Sequence, residues 1–406
     1  MGYALSGYLS GFKCIKKRFF YTYPTSFVWF FKKIIHSLLS LYRKTKKPYI
    51  MESRGLQKLP LNIDFETKKV LKALLSAHAA LAELKGIASS IPNQNILINT
   101  LGLQEAKDSS AIENIITTHD ELYKTGLNFD GFKSSEAKEV QNYISALKRG
   151  FELVSKTKLL TNKTILEVQE ILEDNKSGFR KLPGTVLRKA LSGEVIYTPP
   201  QDHNEIVDLM SNLEKYINDP EPEDFDPLVK MAVIHLQFES IHPFYDGNGR
   251  TGRIINILYL ILQGLQDLPV LYLSSYILKN KQDYYSYLQK VRDENLWEEW
   301  ILFIIRGVEV TSVETIDLIR KIKELMLDYK HRLRKNYKFY SQDLLNNLFK
   351  HPYTKIEFIV RDLGVTRLTA ANYLNKLAED KMLRKEKLGT GNYYINQELF
   401  DLLTRR

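Results

Sequence analysis

Ser240-Ile241-His242-Pro243-Phe244-Tyr245-Asp246-Gly247-Asn248-Gly249-Arg250-Thr251-Gly252-Arg253 joins two apolar runs through a short, chemically dense turn. The run before it, from Pro227 to Ser240, has helical spacing, and Arg250 to Leu265 reads as a second helix starting directly after the turn. Gly247 and Gly249 let the backbone take positive φ and approach a ligand closely. The helix they open offers unpaired N–H groups and a positive dipole end, which together make an anion site. Arg250 and Arg253 lie three residues apart on one face of the first turn, where two guanidinium groups can reach two phosphates of one chain. Asp246 supplies a carboxylate for a magnesium ion, which commonly needs only one or two from the protein. His242 has the chemistry of a base, since an ordinary imidazole is largely neutral at pH 7. Pro243 and Phe244 read as residues that shape the loop. Taken singly, a His-Pro pair is a loop and Gly-Asn-Gly is a turn; in this combination they specify phosphate binding.

Working outward, the chain is mostly helical. Apolar residues at helical spacing run from Asn62 to Ser90, where Pro92 breaks the pattern, and then through Asn99 to Leu122, Ala137 to Val154 and Ile165 to Leu172. Gly131, Gly178 and Pro183-Gly184 mark connections. Val195-Ile196-Tyr197-Thr198, set between Gly193 and Pro199-Pro200, suits a hairpin strand. Helices resume near Glu205. Beyond the central turn come three more helical stretches, including Tyr284 to Val310, and a charged helix from Glu314 to Lys338 that reads as a connector. The tail then runs Ser341 to Lys350, Lys355 to Leu363, Thr366 to Met382, Arg384 to Lys387, a Gly389-Thr390-Gly391 turn and Asn392 to Ile395. Three helices followed by a hairpin match a winged helix, with Thr366 to Leu374 as its recognition helix and the leucines on the inner face. The fold class expected is mainly α, with a short β-hairpin and a C-terminal winged helix.

Composition narrows the alternatives. The 406 residues are 44% hydrophobic and 26% charged, as in an ordinary globular protein. Cys14 is the one cysteine, so neither an intramolecular disulfide nor a cysteine-based zinc site can form, and a reducing, cytoplasmic setting fits. The formal charge of +10 lies entirely in residues 1–50, which hold ten Lys or Arg and no acid; the rest of the chain is neutral. That segment is aromatic and basic, yet Lys32 and Lys33 interrupt its apolar stretch from Phe19 to Phe31, too short to span a bilayer. Three readings of it stay open: untranslated codons before a start at Met51, an interfacial anchor around Ile34 to Lys47, and a secretory signal.

The stretch from His242 to Arg253 resembles the HPFxDGNGRxGR motif of Fic proteins at every fixed position, and His235, Phe238 and Ile241 resemble that family's lead-in helix. The resemblance covers roughly residues 55–310. It implies an N-terminal region over 51–125, a catalytic core over 126–312, a linker helix over 313–340 and the winged helix over 341–406. It implies that His242 activates a Ser, Thr or Tyr hydroxyl of a protein target, which attacks the α-phosphorus of ATP with Mg²⁺ on Asp246. Gly247, Asn248, Gly249, Arg250, Gly252 and Arg253 would hold the phosphates. Members with Lys in place of Gly249 transfer the γ-phosphoryl group instead, and this chain departs from them.

Two further expectations follow from the same resemblance. Ser109-x-x-x-Glu113-Asn114 resembles the family's inhibitory motif, in which Glu113 would pair with Arg253 and misdirect ATP; members with this brake can also remove AMP from targets. A plain capping box at Ser110 to Glu113, opening a helix, is the alternative. Val195, Ile196 and Tyr197 resemble the family's flap, which would align a target's main chain; an ordinary structural hairpin is the alternative. The partners expected are a protein target, a second copy of the chain, and DNA through residues 341–406. The rival function is a winged-helix DNA-binding regulator with the Fic-like core as its sensor.

Overall fold

Side-chain caps, rather than the apolar pattern, set where several of the helices begin. The computed structural model describes residues 56–406 apart from 92, 126–133, 190–191, 220–224, 389–390 and 405–406. The basic segment 1–50, Pro92, Gly131 and the turn at 389–390 lie outside the described residues. Helix α1 (Lys68–Ser89) starts at Thr67, whose hydroxyl accepts the Val70 N–H, and so begins later than the apolar residues from Asn62 suggest. Asn93 caps α2 (Gln94–Ile112). The expected single helix from Asn99 to Leu122 is two. Glu113 closes α2, Asn114 turns left-handed at φ 65°, and α3 (His119–Thr125) starts afresh, with the Glu121 carboxylate accepting the Thr118 N–H and the Thr117 hydroxyl. Ser134 and Thr161 cap α4 (Ser135–Thr157) and α5 (Asn162–Glu173).

A two-stranded antiparallel hairpin follows, β1 (Leu187–Arg188) with β2 (Val195–Tyr197), and then α6 (His203–Asn218). Helix α7 (Pro227–Ile241) opens with Pro227 behind an Asp226 cap and is buried at every residue from Leu228 to Ile241. A helix buried on all sides belongs at a domain centre. It packs against α6, against α8 (Asn248–Leu262), and against the long α11 below. The short α9 (Leu273–Lys279) and α10 (Lys281–Glu294) come next; Asn295, at φ 58°, ends α10.

Helix α11 spans Trp297–Asn336 without a break. The expected stretch from Tyr284 to Val310 is thus divided at Asn295, and the expected connector from Glu314 is the continuation of a helix already running. Burial explains the continuity: Trp300, Ile304, Val308, Thr311, Thr315, Ile319, Ile322, Tyr329 and Leu333 keep one face apolar across the change in surface charge. Trp300 donates its indole N–H to the Ala232 carbonyl of α7 at 2.9 Å and stacks on His235.

The tail holds α12 (Gln342–Lys350), β3 (Tyr353–Thr354), α13 (Ile356–Leu363), α14 (Arg367–Glu379), β4 (Arg384–Leu388), β5 (Gly391–Ile395) and α15 (Gln397–Thr404), with sheet order β3-β5-β4. The short strand β3 and the helix α15 add to the expected elements. Ala370, Leu374 and Leu377 form the inner face of α14, whereas Leu368 is 73% exposed, contrary to the expectation that it points inward. Residues 341–406 do not hang free. Gln104 of α2 donates to the Leu403 carbonyl at 2.7 Å, Tyr353 donates to Asp120, and the Tyr123 ring packs among His351, Tyr353 and Phe400. Among the described residues no helix is long and apolar enough to cross a membrane.

Candidate active site

The turn between α7 and α8 is built by its own side chains. Asn248 clamps it, accepting the Phe244 N–H and donating to the Phe244 carbonyl, both at 2.9 Å. Its side chain is thereby committed to the loop, leaving only its backbone amide for a ligand. Gly247 caps α8 at φ 76°, and the helical ladder begins with Thr251 N–H to the Gly247 carbonyl at 2.8 Å. The N–H groups of Asn248, Gly249 and Arg250 stand at the open end of the helix. Gly252 faces elsewhere: a Cβ there would press on Glu239, Phe238 and His235, so this glycine lets α8 approach α7 rather than cradling an anion.

Arg180 fastens the loop from behind. Its N–H donates to the Pro243 carbonyl at 2.8 Å, its Nε to the His242 carbonyl at 2.9 Å, and its side chain also to the Pro200 carbonyl. The Phe244 ring is buried against Phe179 and Phe238, as a loop anchor should be.

His242 ends α7 in a left-handed conformation at φ 49°, its N–H still bonded to the Phe238 carbonyl. Its imidazole is half-buried, with Nδ1 enclosed. Burial, then the nearby Arg292 and Arg180 cations, push its pKa down to about 4, so the ring is neutral and able to accept a proton across the physiological range. Arg292 of α10 is positioned by donating to Ser240 Oγ and the Glu239 carbonyl at 3.1 Å, with its guanidinium 4.1 Å from the centre of the Tyr197 ring. Tyr197 donates to the Ser240 carbonyl at 2.9 Å, and Gln289 holds the Ile196 carbonyl at 3.0 Å. Tyr197 is thus tied to the end of α7 and Ile196 to α10, with Val195 exposed.

The two arginines diverge onto different acidic partners. Arg250 is gripped by Glu139 of α4 and Glu173 of α5, each at 2.8 Å. Arg253 donates through Nε to Ser109 Oγ at 2.7 Å, and through Nη2 to the Ser109 carbonyl at 2.9 Å and to Glu113 at 2.8 Å. Glu113 also lies against Gly249, where any Cβ would strike its carboxylate. Because Glu113 terminates α2, it cannot be the fourth residue of a capping box that opens a helix. Asn114 accepts from Lys281 at 3.0 Å and steadies that end. Beneath Arg253, Glu105 is fully enclosed. It accepts from Ser274 and from Tyr143, and burial pushes its pKa up to about 7; Glu239 is raised to about 7 for the same reason.

Asp246 is exposed, accepts the Gly247 N–H at 2.7 Å, and has no cation within ion-pair distance among the described residues. It lies close enough to Glu173 to oppose that group's ionisation. A carboxylate with an uncommitted oxygen at the lip of an anion-binding turn fits a magnesium ion, which needs one or two such ligands.

Sequence reasoning missed Arg180, Arg292, Glu139, Glu173, Glu105 and Glu239. Glu239 sits in the apolar run just before His242 and the others in stretches that read as ordinary charged helix or loop, and their convergence depends on the tertiary fold.

Buried ionisable groups of both kinds give stability a definite pH dependence. The imidazoles of His119, His235, His242 and His351 are depressed to about 4, 3, 4 and 4 by burial, while Glu105 and Glu239 are raised to about 7. As pH falls below 6.5 the unfolded chain protonates four imidazoles that the folded chain keeps neutral. Down to about 4.5 the folded chain alone keeps two carboxyl protons. The unfolded state therefore binds the greater number, and stability drops as pH falls through this window. The two raised carboxyls work the other way, their contribution being lost as pH rises from about 4.5 through 7, so above 7 these groups leave stability nearly flat. The thermal midpoint is expected to peak between pH 6.5 and 7 and to drop by several degrees at pH 5; a flat profile in differential scanning calorimetry contradicts these burial assignments.

Comparison with known proteins agrees with this geometry. Residues 71–152 match the family model described as Fic/DOC family N-terminal, residues 159–260 match Fic/DOC family, and residues 325–399 match Protein adenylyltransferase SoFic-like, C-terminal domain. The chain is 28% identical over 191 residues to Protein adenylyltransferase Fic of Aedes aegypti, covering 47% of this chain and 36% of that protein. It is 27% identical over 206 residues to a probable protein adenylyltransferase of Aquifex aeolicus, covering 48% and 57%. The chain therefore spans less than two thirds of the length of these relatives. The crystal structure of a Fic family protein from Desulfovibrio desulfuricans superposes with a TM-score of 0.53 at 19% identity, covering 81% of this chain and 96% of that one, which shows a shared fold.

Proposed function

Because the chain belongs to the Fic/DOC family, we propose that it is a protein adenylyltransferase, transferring AMP from ATP to a Ser, Thr or Tyr hydroxyl of a protein. The observation that carries this reading is the pairing of a neutral, half-buried His242 with the open N–H groups of α8 across one short turn. In the proposed reaction the target oxygen bonds to the α-phosphorus, the bond from that phosphorus to the β-phosphate oxygen breaks, and pyrophosphate leaves. The hydroxyl proton goes to the His242 imidazole. The amides of Asn248 and Gly249 face the charge that develops on the α-phosphate, and Arg250 serves the leaving phosphates once released from Glu139 and Glu173. Asp246 would hold Mg²⁺, which supplies charge neutralisation to the phosphate chain.

In this reading Glu113 is a brake. It takes up Arg253 and crowds Gly249, both of which a reactive triphosphate needs. The same carboxylate would activate a water for hydrolysis of the phosphoester to a modified target, with AMP as the product; release of AMP from a modified target by the wild type, lost in Glu113→Gly, is the signature of that activity.

The test uses ATP labelled at either the α- or the γ-phosphate. Protein-bound label is expected from the α-position only. Incorporation from the γ-position alone would indicate a kinase and overturn the reading.

Val195 to Tyr197 would align the target by strand addition. Ile196→Pro removes a strand N–H and is expected to lower target labelling at least tenfold while leaving the nucleotide Kd within about twofold; equal losses in both would make the hairpin purely structural.

DNA binding through residues 341–406 is the rival reading. Arg367 is engaged by Glu357, Arg384 by Glu386, and the exposed Leu368 lies at the start of α14, features that favour a protein contact on that face. Binding to duplex DNA that weakens steeply with salt and survives His242→Ala would favour the rival.

A further inference from the structure

A cavity of about 230 Å³ lies between α2 and α4 on one side and residues 347–362 on the other. Its charges do not balance. Lys148 donates at 2.7 Å to Asn99 Oδ1, a neutral amide oxygen, and among the described residues no carboxylate lies within ion-pair distance of it. Burial, and then the neighbouring Lys350 cation, lower its pKa. The single lining carboxylate, Asp362, accepts from Asn347 at 2.8 Å and Arg361 at 2.8 Å and has Lys350 at 3.8 Å. His351 is kept neutral by burial, which pushes it down to about 4. Three cations from three segments of chain thus face one occupied acid, an excess of two positive charges.

We propose that this cavity binds a small phosphate-like dianion and that the bound anion clamps residues 341–406 onto α2. Two ammonium groups and a guanidinium fork are the groups proteins use for phosphate. The volume falls below the range typical of larger organic ligands, so it admits inorganic phosphate or the phosphate of a small ester rather than a nucleotide. The position gives the site its consequence. Asn99 and Leu103 of α2 line the cavity, and the same helix ends at Glu113. Directly after Leu103, Gln104 is bonded to Leu403, while Tyr353, another lining residue, is bonded to Asp120. An anion that restores charge balance at this joint stabilises the docked state over the undocked one. This second half of the proposal rests on Glu113 acting as the brake: a firmer joint holds Glu113 on Arg253.

Inorganic phosphate titrated calorimetrically into the full chain at constant ionic strength tests the site. One equivalent is expected to bind, with Lys148→Met and Lys350→Met each weakening it about tenfold or more, as loss of a charge-assisted contact does. Lys350 is part-exposed, so its variant separates binding from folding. No heat with the wild type, or unchanged affinity in both variants, overturns the site. Saturating phosphate is expected to lower α-label incorporation in the wild type and to leave Glu113→Gly unaffected. Phosphate that binds without changing wild-type incorporation overturns the clamp. Failure of Glu113→Gly to raise incorporation counts against the brake and leaves the binding result standing.

Discussion

Replacing Glu113 with Gly is expected to raise incorporation of label from α-labelled ATP by roughly ten- to a hundredfold. The reasoning is electrostatic and steric. Glu113 contributes one charge-assisted bond to Arg253, a contact worth roughly 1.5–3 kcal/mol, and a nucleotide must displace it to engage that arginine. The carboxylate also sits where a ligand approaching Gly249 would lie. Little stability should be lost, because Arg253 keeps its two bonds to Ser109 and Glu113 is about one-third exposed, which puts its net contribution near 1 kcal/mol. Quantitative labelling of wild type and variant at equal concentration checks this. Equal rates would mean that the ion pair is structural.

Replacing His242 is expected to have the opposite and larger effect, a fall of roughly 10²- to 10⁴-fold, the usual contribution of a positioned general base. Alanine alone leaves room for the objection that the loop has collapsed. His242 occupies the left-handed region, which asparagine tolerates well among non-glycine residues, so His242→Asn keeps the backbone while removing the base. Both variants should lose labelling in the Glu113→Gly background, and the asparagine variant should keep a thermal midpoint within a few degrees of its parent. Because burial and the adjacent arginines hold the imidazole near 4, activity above pH 5 should show no loss attributable to this group. An acid limb centred near 6.5 would place the base elsewhere.

What the sequence revealed of this site depended on distance along the chain. His242, Asp246, Gly249, Arg250 and Arg253 lie in one contiguous turn, and their spacing alone implies a helix N-terminus with cations on its first turn. Glu113 was legible only through a motif, since its carboxylate meets Arg253 across 140 residues. Arg180 and Arg292 carried no signal. One lies in an extended loop and the other on a charged helix, and only folding turns their side chains onto the His242 carbonyl and the Tyr197 ring. The same limit explains the helices. Surface charge changes near Glu314 while the buried stripe of α11 runs on, so composition suggested a boundary where packing has none. The end of α2 escaped notice because apolar spacing continues past Ile112, and a single left-handed residue, Asn114, decides the break. Gly252 was assigned to phosphate by its place in the motif, whereas its missing side chain serves helix packing, and Asn248 has a second role the motif does not show, its side chain locking the loop while its amide stays open.

The most direct measurement is a crystal structure of Glu113→Gly with Mg²⁺ and a non-hydrolysable ATP analogue. The α-phosphate should lie on the Asn248 and Gly249 amides, with Arg253 on the outer phosphates and the His242 imidazole on the side of the α-phosphorus away from the β-phosphate. Phosphates bound away from the α8 terminus, or an imidazole with no path to the α-phosphorus, would contradict the account.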